Sequence, residues 1–363
     1  MIPLFDLHRV LQENTKELKL AFEESLEDAR FINGPQVQKL EEQLSEYLGV
    51  SRVVGVSSGT DALLAIFMSL GLAPGDEILV TPFTFVASAT SIVRAGLKPV
   101  FVDLAEDSFH PSLEGYEAAI TSKTRGLLAV HLFGEPNNLT KLKEYCKIRD
   151  IIMIEDCAQA MGSKWNNKYV GTYGDASAFS FFPAKNLGCF GDGGCVATNN
   201  NNLVEKIKMV KSHGSKVKYE HEILGGNFRL DTLQASILSV LLPSLDNWIE
   251  KRRQNAERYS DALGGIEELK LPRHTVGHSW NQYTIRTKRR DRLKEWLDSR
   301  SIGNAIYYPK ALHQQKVFNL DQSLPKAERT CKEVLSLPIY PGLQKKEQGT
   351  VISAIKDFFK RQT

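Results

Sequence analysis

The sequence contains no run of about 20 apolar residues, which is the length that a helix needs to span a bilayer. Its first residues also lack the basic and then apolar segments of a secretory signal peptide. The net charge is only +3, and no long basic run is interleaved with aromatic residues. We therefore expect a cytoplasmic protein whose partner is neither a membrane nor a nucleic acid.

Cysteine and histidine are present, but not in the spacings that build disulfide or metal sites. The five cysteines form no CxxC pair, and the eight histidines include no HExxH motif. An odd number of cysteines scattered over 363 residues does not make a disulfide framework, so we expect reduced and mostly buried thiols. The sequence also predicts no metal site.

Two patterns along the chain predict two domains. From about residue 50 to 200, short β-branched runs alternate with helical segments, which is typical of a mostly parallel sheet covered by helices. Seven strands are predicted, at Val53–Val56, Ile78–Thr81, Val100–Asp103, Gly126–His131, Ile151–Glu155, Ala176–Phe181 and Gly194–Thr198. A long helical stretch is predicted from Asp231 to about Gly264. We expect a large α/β domain over residues 1–245 and a small α+β domain over residues 246–363.

The segment from Ser57 to Leu63 follows a predicted strand and begins a predicted helix. Backbone N–H groups at the start of a helix attract phosphate, Gly59 would allow close approach, and Thr60 adds a hydroxyl donor. An ordinary helix N-cap explains the same residues. This segment alone therefore leaves both interpretations open.

A second candidate segment is the apolar strand that ends in Glu155 and Asp156. Open α/β sheets bind their ligands at the carboxyl ends of strands, and Gln159 could face the same crevice. A carboxylate there could keep a pyridinium nitrogen protonated, and a protonated ring is the electron sink of pyridoxal phosphate (PLP) chemistry. Capping of a following helix by Asp156 is an equally good explanation.

The most informative segment is an apolar strand that passes through Ser180 into a turn with a single lysine, Lys185, and then into a glycine-rich stretch. The amine of a lysine in a partly buried pocket has a lowered pKa, which makes it both a nucleophile and a proton shuttle. Most turn lysines are simply exposed to solvent. The neighbouring segments favour the functional interpretation.

Together, these three segments resemble the DegT-type nucleotide-sugar aminotransferases of PLP fold type I. The similarity covers nearly the whole chain, and it includes Ile32-Asn33-Gly34-Pro35, Thr81-Pro82-Phe83-Thr84-Phe85 and Asn227-Phe228-Arg229-Leu230-Asp231. It implies a seven-stranded α/β domain with a smaller C-terminal domain, PLP as cofactor, and L-glutamate as amino donor. Some relatives carry histidine instead of the lysine and are dehydratases, so Lys185 favours transamination.

The resemblance also implies a role for each matching residue. Lys185 would form the Schiff base and move protons, Asp156 would pair with the pyridine nitrogen, and Gln159 would lie near the ring hydroxyl. The other implied cofactor contacts are Phe85 stacked on the ring, Gly59, Thr60 and Ser180 at the phosphate, and Asn227 from the neighbouring subunit. The active sites would therefore be shared within a homodimer.

Within the family, the motifs look most like the branch that aminates carbon 3 of a UDP-linked 3-keto-N-acetylglucosamine or its uronic acid, for lipopolysaccharide or related glycans. Enzymes for dTDP-linked 3-keto-6-deoxyhexoses are a more distant match. Tyr307-Tyr308-Pro309 stands where many relatives have His-Tyr-Pro. Because Tyr307 cannot become cationic near neutral pH, Tyr307 and Tyr308 suit a neutral sugar slightly better than a uronate.

Basic residues give the opposing indication. The guanidinium of Arg229 could bind an anionic group of a substrate with two hydrogen bonds, although an interface salt bridge, perhaps to Asp231, is nearly as good an explanation. Lys211 and His213 belong to a basic loop that we expect to be solvated rather than bound to diphosphate. A non-catalytic regulator remains the alternative from another functional class, since a fold does not fix a function.

Overall fold

A computed structural model describes residues 1–318 and 320–360. Its strands are β1 (Arg52–Val56), β2 (Glu77–Val80), β3 (Lys98–Phe101), β4 (Thr124–Val130), β5 (Ile152–Asp156), β6 (Lys164–Trp165), β7 (Lys168–Tyr169), β8 (Ala176–Ser180), β9 (Gly194–Thr198), β10 (Ser215–Val217), β11 (Glu220–His221), β12 (Tyr283–Arg286) and β13 (Val334–Leu337). Seven of them form the central sheet, in the order β1-β9-β8-β5-β4-β2-β3. Strand β9 runs antiparallel to both β1 and β8, and the other neighbouring pairs are parallel. The predicted seven-stranded, mostly parallel sheet is confirmed.

Helices cover both faces of this sheet. They are α1 (Leu7–Leu11), α2 (Thr15–Asp28), α3 (Pro35–Leu48), α4 (Gly59–Ser69), α5 (Ala87–Arg94), α6 (Leu113–Ala119), α7 (Leu139–Arg149), α8 (Asn201–Val210), α9 (Thr232–Leu241), α10 (Leu245–Leu263), α11 (Arg290–Asp298), α12 (Pro325–Glu333) and α13 (Lys345–Lys360). Because side chains alternate along a strand, β4 sends Leu127 into one core and Leu128 into the other. Helices α3 and α9 contribute to the first core, and α4 and α8 contribute to the second.

A third core lies in the C-terminal part of the chain. Strands β12 and β13 pair in antiparallel register, and helices α10, α11 and α13 pack with them around Tyr259, Leu293 and Ile355. This mixture agrees with the predicted α+β character. Helix α12 belongs to the predicted small domain, but its residues Ala327 and Cys331 pack into the second core. The boundary at residue 245 therefore stays a prediction.

Two predicted elements were placed wrongly. Strand β3 begins and ends two residues before the predicted Val100–Asp103; it contains Pro99, which a strand at the edge of a sheet tolerates. The long helix predicted from Asp231 is wrong, since α9 ends at Leu241 and a 3₁₀ turn, Leu242–Ser244, precedes α10. Pro243 lies in that turn, and proline cannot donate the backbone hydrogen bond that a continuous α-helix requires.

Within the described part of the chain, no helix is long and apolar enough to cross a membrane.

Candidate active site

A cleft of about 470 Å³ opens at the carboxyl ends of the parallel strands. The sheet topology brings together residues that are far apart in the chain, because β1, β5 and β8 all end at this edge. Predicted site residues that line the cleft are Gly59, Thr60, Phe85, Asp156, Gln159, Ser180, Lys185, Tyr307 and Tyr308. Sequence reasoning therefore identified most of the cleft that one chain forms.

Asn227 and Arg229 do not line this cleft. Both belong to a segment that runs along the sheet edge, where Arg229 pairs with Val56 of β1 in a short antiparallel bridge. The side chain of Arg229 makes no ion pair within residues 1–318 and 320–360, and its buried Nε has no hydrogen-bond partner there. The suggested salt bridge to Asp231 is thus not formed within the chain.

The basic loop is less solvated than the sequence indicated. Lys211 is largely buried, and its Nζ donates to the backbone oxygen of Gly55 at 2.9 Å. Glu41 lies 3.7 Å from the same Nζ. Lys211 therefore fixes the outer edge of β1, and the expectation of a freely solvated side chain is wrong at this position.

The first turn of α4 has the features of an anion site. Ser58 is the N-cap, and its Oγ accepts the N–H of Asp61 at 3.0 Å. The cap leaves the backbone N–H groups of Gly59 and Thr60 available at the positive end of the helix. A Cβ added at Gly59 would lie 2.7 Å from the Cβ of Ser180. Glycine is therefore needed here for the close approach of α4 to the end of β8.

Asp156 is buried at the end of β5, and both of its carboxylate oxygens accept hydrogen bonds. Ser88 Oγ donates to Oδ2 at 2.7 Å, and the backbone N–H of Ala158 donates to Oδ1 at 3.1 Å. No helix follows directly after Asp156. The alternative role of Asp156 as a helix cap is therefore wrong.

Lys185 lies in a turn after β8 and faces the same cleft as Asp156. The turn is closed by a hydrogen bond of 2.8 Å from the backbone N–H of Lys185 to the oxygen of Phe182. Burial lowers the pKa of the Lys185 amine from 10.5 to about 8, against a smaller upward effect of the Asp156 charge. An appreciable fraction of this amine is therefore neutral and nucleophilic near neutral pH.

Gln159 links two sides of the cleft. Its Oε1 accepts the N–H of Phe133 at 2.7 Å, and its Nε2 donates to the hydroxyl of Tyr308 at 3.2 Å. Tyr308 comes from the C-terminal part of the chain, and burial raises the pKa of its phenol. Gln159 is thus held in one orientation while its amide faces the cleft.

Several polar residues that line the cleft were not among the predicted site residues, including Thr84, Ser88, His131, Asn281 and Gln282. Ser88 lies in the first turn of α5, four residues after Thr84, and no local pattern in the sequence marks it. Asn281 donates from Nδ2 to the side-chain oxygen of Asn186 at 3.1 Å. Only the fold brings that asparagine, some hundred residues downstream, next to the Lys185 turn.

His131 belongs to a buried network beneath the cleft. Its Nδ1 accepts the N–H of Asn137 at 3.1 Å, so Nε2 carries the proton and donates to Glu155 at 3.1 Å. Glu155 also accepts three backbone N–H groups from residues 171–174. The ligand atoms of His131, Glu155 and Cys157 lie within 4.8 Å of one another. Because these hydrogen bonds already use both oxygens of Glu155, we interpret the group as a structural network rather than a metal site.

A comparison with protein families matches the DegT/DnrJ/EryC1/StrS aminotransferase family to residues 12–356 of this chain. A pleiotropic regulatory protein of Geobacillus stearothermophilus is 41% identical, with 99% of each chain covered. The UDP-N-acetyl-3-dehydro-alpha-D-glucosamine 3-aminotransferase of Acidithiobacillus ferrooxidans is 39% identical over 98% of this chain and 97% of its own. The dTDP-3-amino-3,4,6-trideoxy-alpha-D-glucose transaminase of Streptomyces venezuelae is 38% identical, over 99% of this chain and 97% of its own.

Solved structures agree with these relatives. The crystal structure of S. venezuelae DesV in complex with a ketimine intermediate superimposes with a TM-score of 0.97 at 37% identity. The superposition covers 100% of this chain and 99% of DesV. The fold type I architecture is therefore confirmed.

Proposed function

This chain belongs to the DegT/DnrJ/EryC1/StrS aminotransferase family and is a PLP-dependent sugar aminotransferase, and we propose that its substrate is a nucleotide-linked 3-keto sugar. The first candidate is UDP-2-acetamido-3-keto-glucose, with L-glutamate as the amino donor. The observation that best supports amino transfer is that Lys185 and Asp156 line the same cleft, and that burial lowers the pKa of the lysine. The position of the ketone rests on the names of two relatives, which both specify carbon 3.

The residues of the cleft fit the cofactor. The uncapped N–H groups of Gly59 and Thr60 suit a phosphate, and the Asp156 carboxylate suits a protonated ring nitrogen. Phe85 lines the cleft with its side chain largely exposed, so a flat ring can pack against it. When bound, PLP supplies an electron sink for the carbanion that forms during amino transfer.

Lys185 has the properties of the residue that moves protons. With a pKa of about 8, its Nζ exists in both protonated and neutral forms near neutral pH. The same atom can therefore take a proton from the donor α-carbon and return one to carbon 3 of the sugar. Delivery from one side of the cleft would fix the configuration at that carbon.

Apart from Lys185, the described residues of the cleft include no lysine or arginine for the anionic ligands that we propose. Among the described residues, its charged lining consists of Asp156, Lys185 and Asp192, whereas glutamate and a nucleotide diphosphate are both anionic. Phe85 and Phe182 also line the cleft, and 55% and 52% of their surfaces are exposed. Apolar side chains exposed at a polar cleft favour coverage by another chain. We therefore propose a homodimer.

In such a dimer, Asn227 and Arg229 of a second copy would complete the cleft. Both residues lie outside the cleft of their own chain, and Arg229 carries a buried Nε without a partner there. A guanidinium is well suited to bind a carboxylate or diphosphate with two hydrogen bonds. The proposal thus gives Arg229 an anionic partner that its own chain does not supply.

Tyr307 supports the neutral sugar over the uronate. Its partly buried ring lines the cleft next to Tyr308, and burial raises the pKa of its phenol. A neutral phenol donates a hydrogen bond but carries no positive charge for a sugar carboxylate. We expect Tyr307→His to increase the relative kcat/KM for the uronate, by about tenfold if the new imidazole is cationic. An unchanged ratio of kcat/KM between the uronate and the neutral sugar would show that Tyr307 does not influence the choice of substrate.

The decisive experiment offers purified protein three ketones separately, with PLP and glutamate, and identifies products by mass. The three are UDP-3-keto-N-acetylglucosamine, its uronate and a dTDP-3-keto-6-deoxyhexose. We expect amination of the first, and none with Lys185→Ala. Preference for the dTDP sugar would favour the alternative that the S. venezuelae relative represents. Binding of PLP without amination of any ketone would contradict the proposed substrate class.

A further inference from the structure

Ser88 makes a contact that neither its helix nor its local sequence requires. Serine hydroxyls inside helices usually bond back to a carbonyl one turn earlier. Thr90 on α5 does this, with its Oγ1 3.1 Å from the oxygen of Val86. Ser88 instead donates across the cleft to Asp156 Oδ2 at 2.7 Å. Its hydroxyl is therefore directed at the proposed cofactor site rather than used within the helix.

Thr84 continues this contact outward from the carboxylate. The two hydroxyl oxygens of Thr84 and Ser88 lie 3.0 Å apart. A hydroxyl has one proton to donate, and that of Ser88 is used on Asp156, so the Thr84 hydroxyl is the donor between them. Both side chains are almost completely buried, at 3% and 1% exposure, where a hydrogen bond to a charged group is stronger than in water.

We propose that Thr84 and Ser88 form a two-hydroxyl relay that positions the Asp156 carboxylate for the ring nitrogen of the cofactor. The inference rests on the proposed role of Asp156. With Ser88 on Oδ2 and the N–H of Ala158 on Oδ1, the carboxylate is held at both oxygens. Each oxygen can accept a second hydrogen bond, so one remains for the ring N–H. Thr84 and Ser88 are positioning residues, because they act through Asp156.

The relay also connects two parts of the site. Thr84, Phe85 and Ser88 lie within the five-residue segment 84–88, which leads into α5. Phe85 provides the apolar surface on which the ring is proposed to pack, while the two hydroxyls fix the group that holds the ring nitrogen. A single segment would thus supply both the apolar surface for the ring and the hydroxyls that hold Asp156 for the ring nitrogen.

The test measures binding of pyridoxamine phosphate to the cofactor-free full-length protein by calorimetry. This probe has the ring nitrogen but no aldehyde, so its affinity reports noncovalent contacts without attachment to Lys185. We expect Ser88→Ala to weaken binding about tenfold to a hundredfold, since it removes a hydrogen bond to a charged group. Thr84→Val, which keeps the shape and removes the hydroxyl, should weaken it about two- to fivefold.

Two control variants separate the relay from general effects on this segment and on α5. Thr84→Ser keeps the hydroxyl and should restore affinity to within about twofold of the wild type. Thr90→Val makes the same Thr-to-Val change six residues further along, on α5, where the Thr90 hydroxyl bonds to the oxygen of Val86, and it should leave affinity unchanged. If Ser88→Ala fails to fold, the Thr84→Val and Thr84→Ser pair still decides the question.

Asp156→Asn distinguishes failure of the relay from failure of the proposed site. Loss of affinity in Asp156→Asn, with normal binding by Ser88→Ala and Thr84→Val, would refute the relay alone. Unchanged affinity in Asp156→Asn would overturn both the role of Asp156 and the relay. Equal losses in Thr84→Val and Thr90→Val would assign the effect to general disturbance of α5 and the segment before it, and would also refute the relay.

Discussion

Replacing Lys185 with methionine should stabilise the cofactor-free protein while abolishing its reaction. Burial lowers the pKa of the amine from 10.5 to about 8, which means that the fold disfavours its charged form. At 1.36 kcal/mol per pKa unit, the full penalty is roughly 3 kcal/mol. Because the side chain is partly exposed, we expect Lys185→Met to raise the free energy of unfolding near pH 7 by about 1–3 kcal/mol.

The sign of this effect with pH makes the prediction specific. Between pH 8 and pH 10.5 the unfolded chain binds the proton that the folded chain has released, so the wild type gains stability as the pH rises. The advantage of Lys185→Met should therefore be largest below pH 8 and shrink through that window. Urea denaturation near pH 7 and near pH 9.5 measures it, with Lys143→Met on the exposed face of α7 as the matched control. If Lys185→Met gives no gain in stability, or the same gain at both pH values, burial of the Lys185 charge does not destabilise the fold.

Two further substitutions test the packing of α4 against β8 and the buried network around Glu155. Gly59→Ala places a Cβ 2.7 Å from the Cβ of Ser180, so we expect a loss of about 1–3 kcal/mol in stability and weaker binding of inorganic phosphate, measured by denaturation and by calorimetry. Unchanged affinity would mean that α4 does not form the anion site. Glu155→Gln replaces an acceptor-only carboxylate that takes N–H groups from His131 and residues 171–174, and it should cost about 1–3 kcal/mol in urea denaturation. A neutral outcome would show that the buried network contributes little.

Local motifs predicted the residues of the candidate site better than the residues that hydrogen-bond to them and hold them in place. Lys185, Asp156 and Gly59 were found because each ends or follows a strand, and strand ends meet at one edge of a parallel sheet. Ser88 was missed because its role depends on the distance between α5 and β5, which no periodicity encodes. Asn281 was missed for the same reason, since it meets Asn186 only after the C-terminal part packs on the sheet.

The same limit applies to the fold. The alternation of apolar residues predicted the seven strands to within about two residues, because burial on two faces leaves a continuous signal. It did not predict the break between α9 and α10, since the residues on both sides of Pro243 are helical in character and only the proline interrupts them. The burial of Lys211 was also hidden, because its partner is a backbone oxygen of Gly55.

The position of β9 has a consequence for how the protein reaches this structure. In the described sheet, β9 is the one strand beside β1, and its residues follow those of β1 by about 140 positions, as in the pairing of Val54 with Val196. During synthesis, β1 and the helix start that follows it must wait for β9 to leave the ribosome before they can join the sheet. Such distant pairing slows folding, because the entropy cost of closing a long loop comes before the stabilising contacts form. The proposed phosphate-binding turn after β1 therefore joins the sheet only once β9 is available, and chains truncated before β9 would leave β1 without its neighbouring strand.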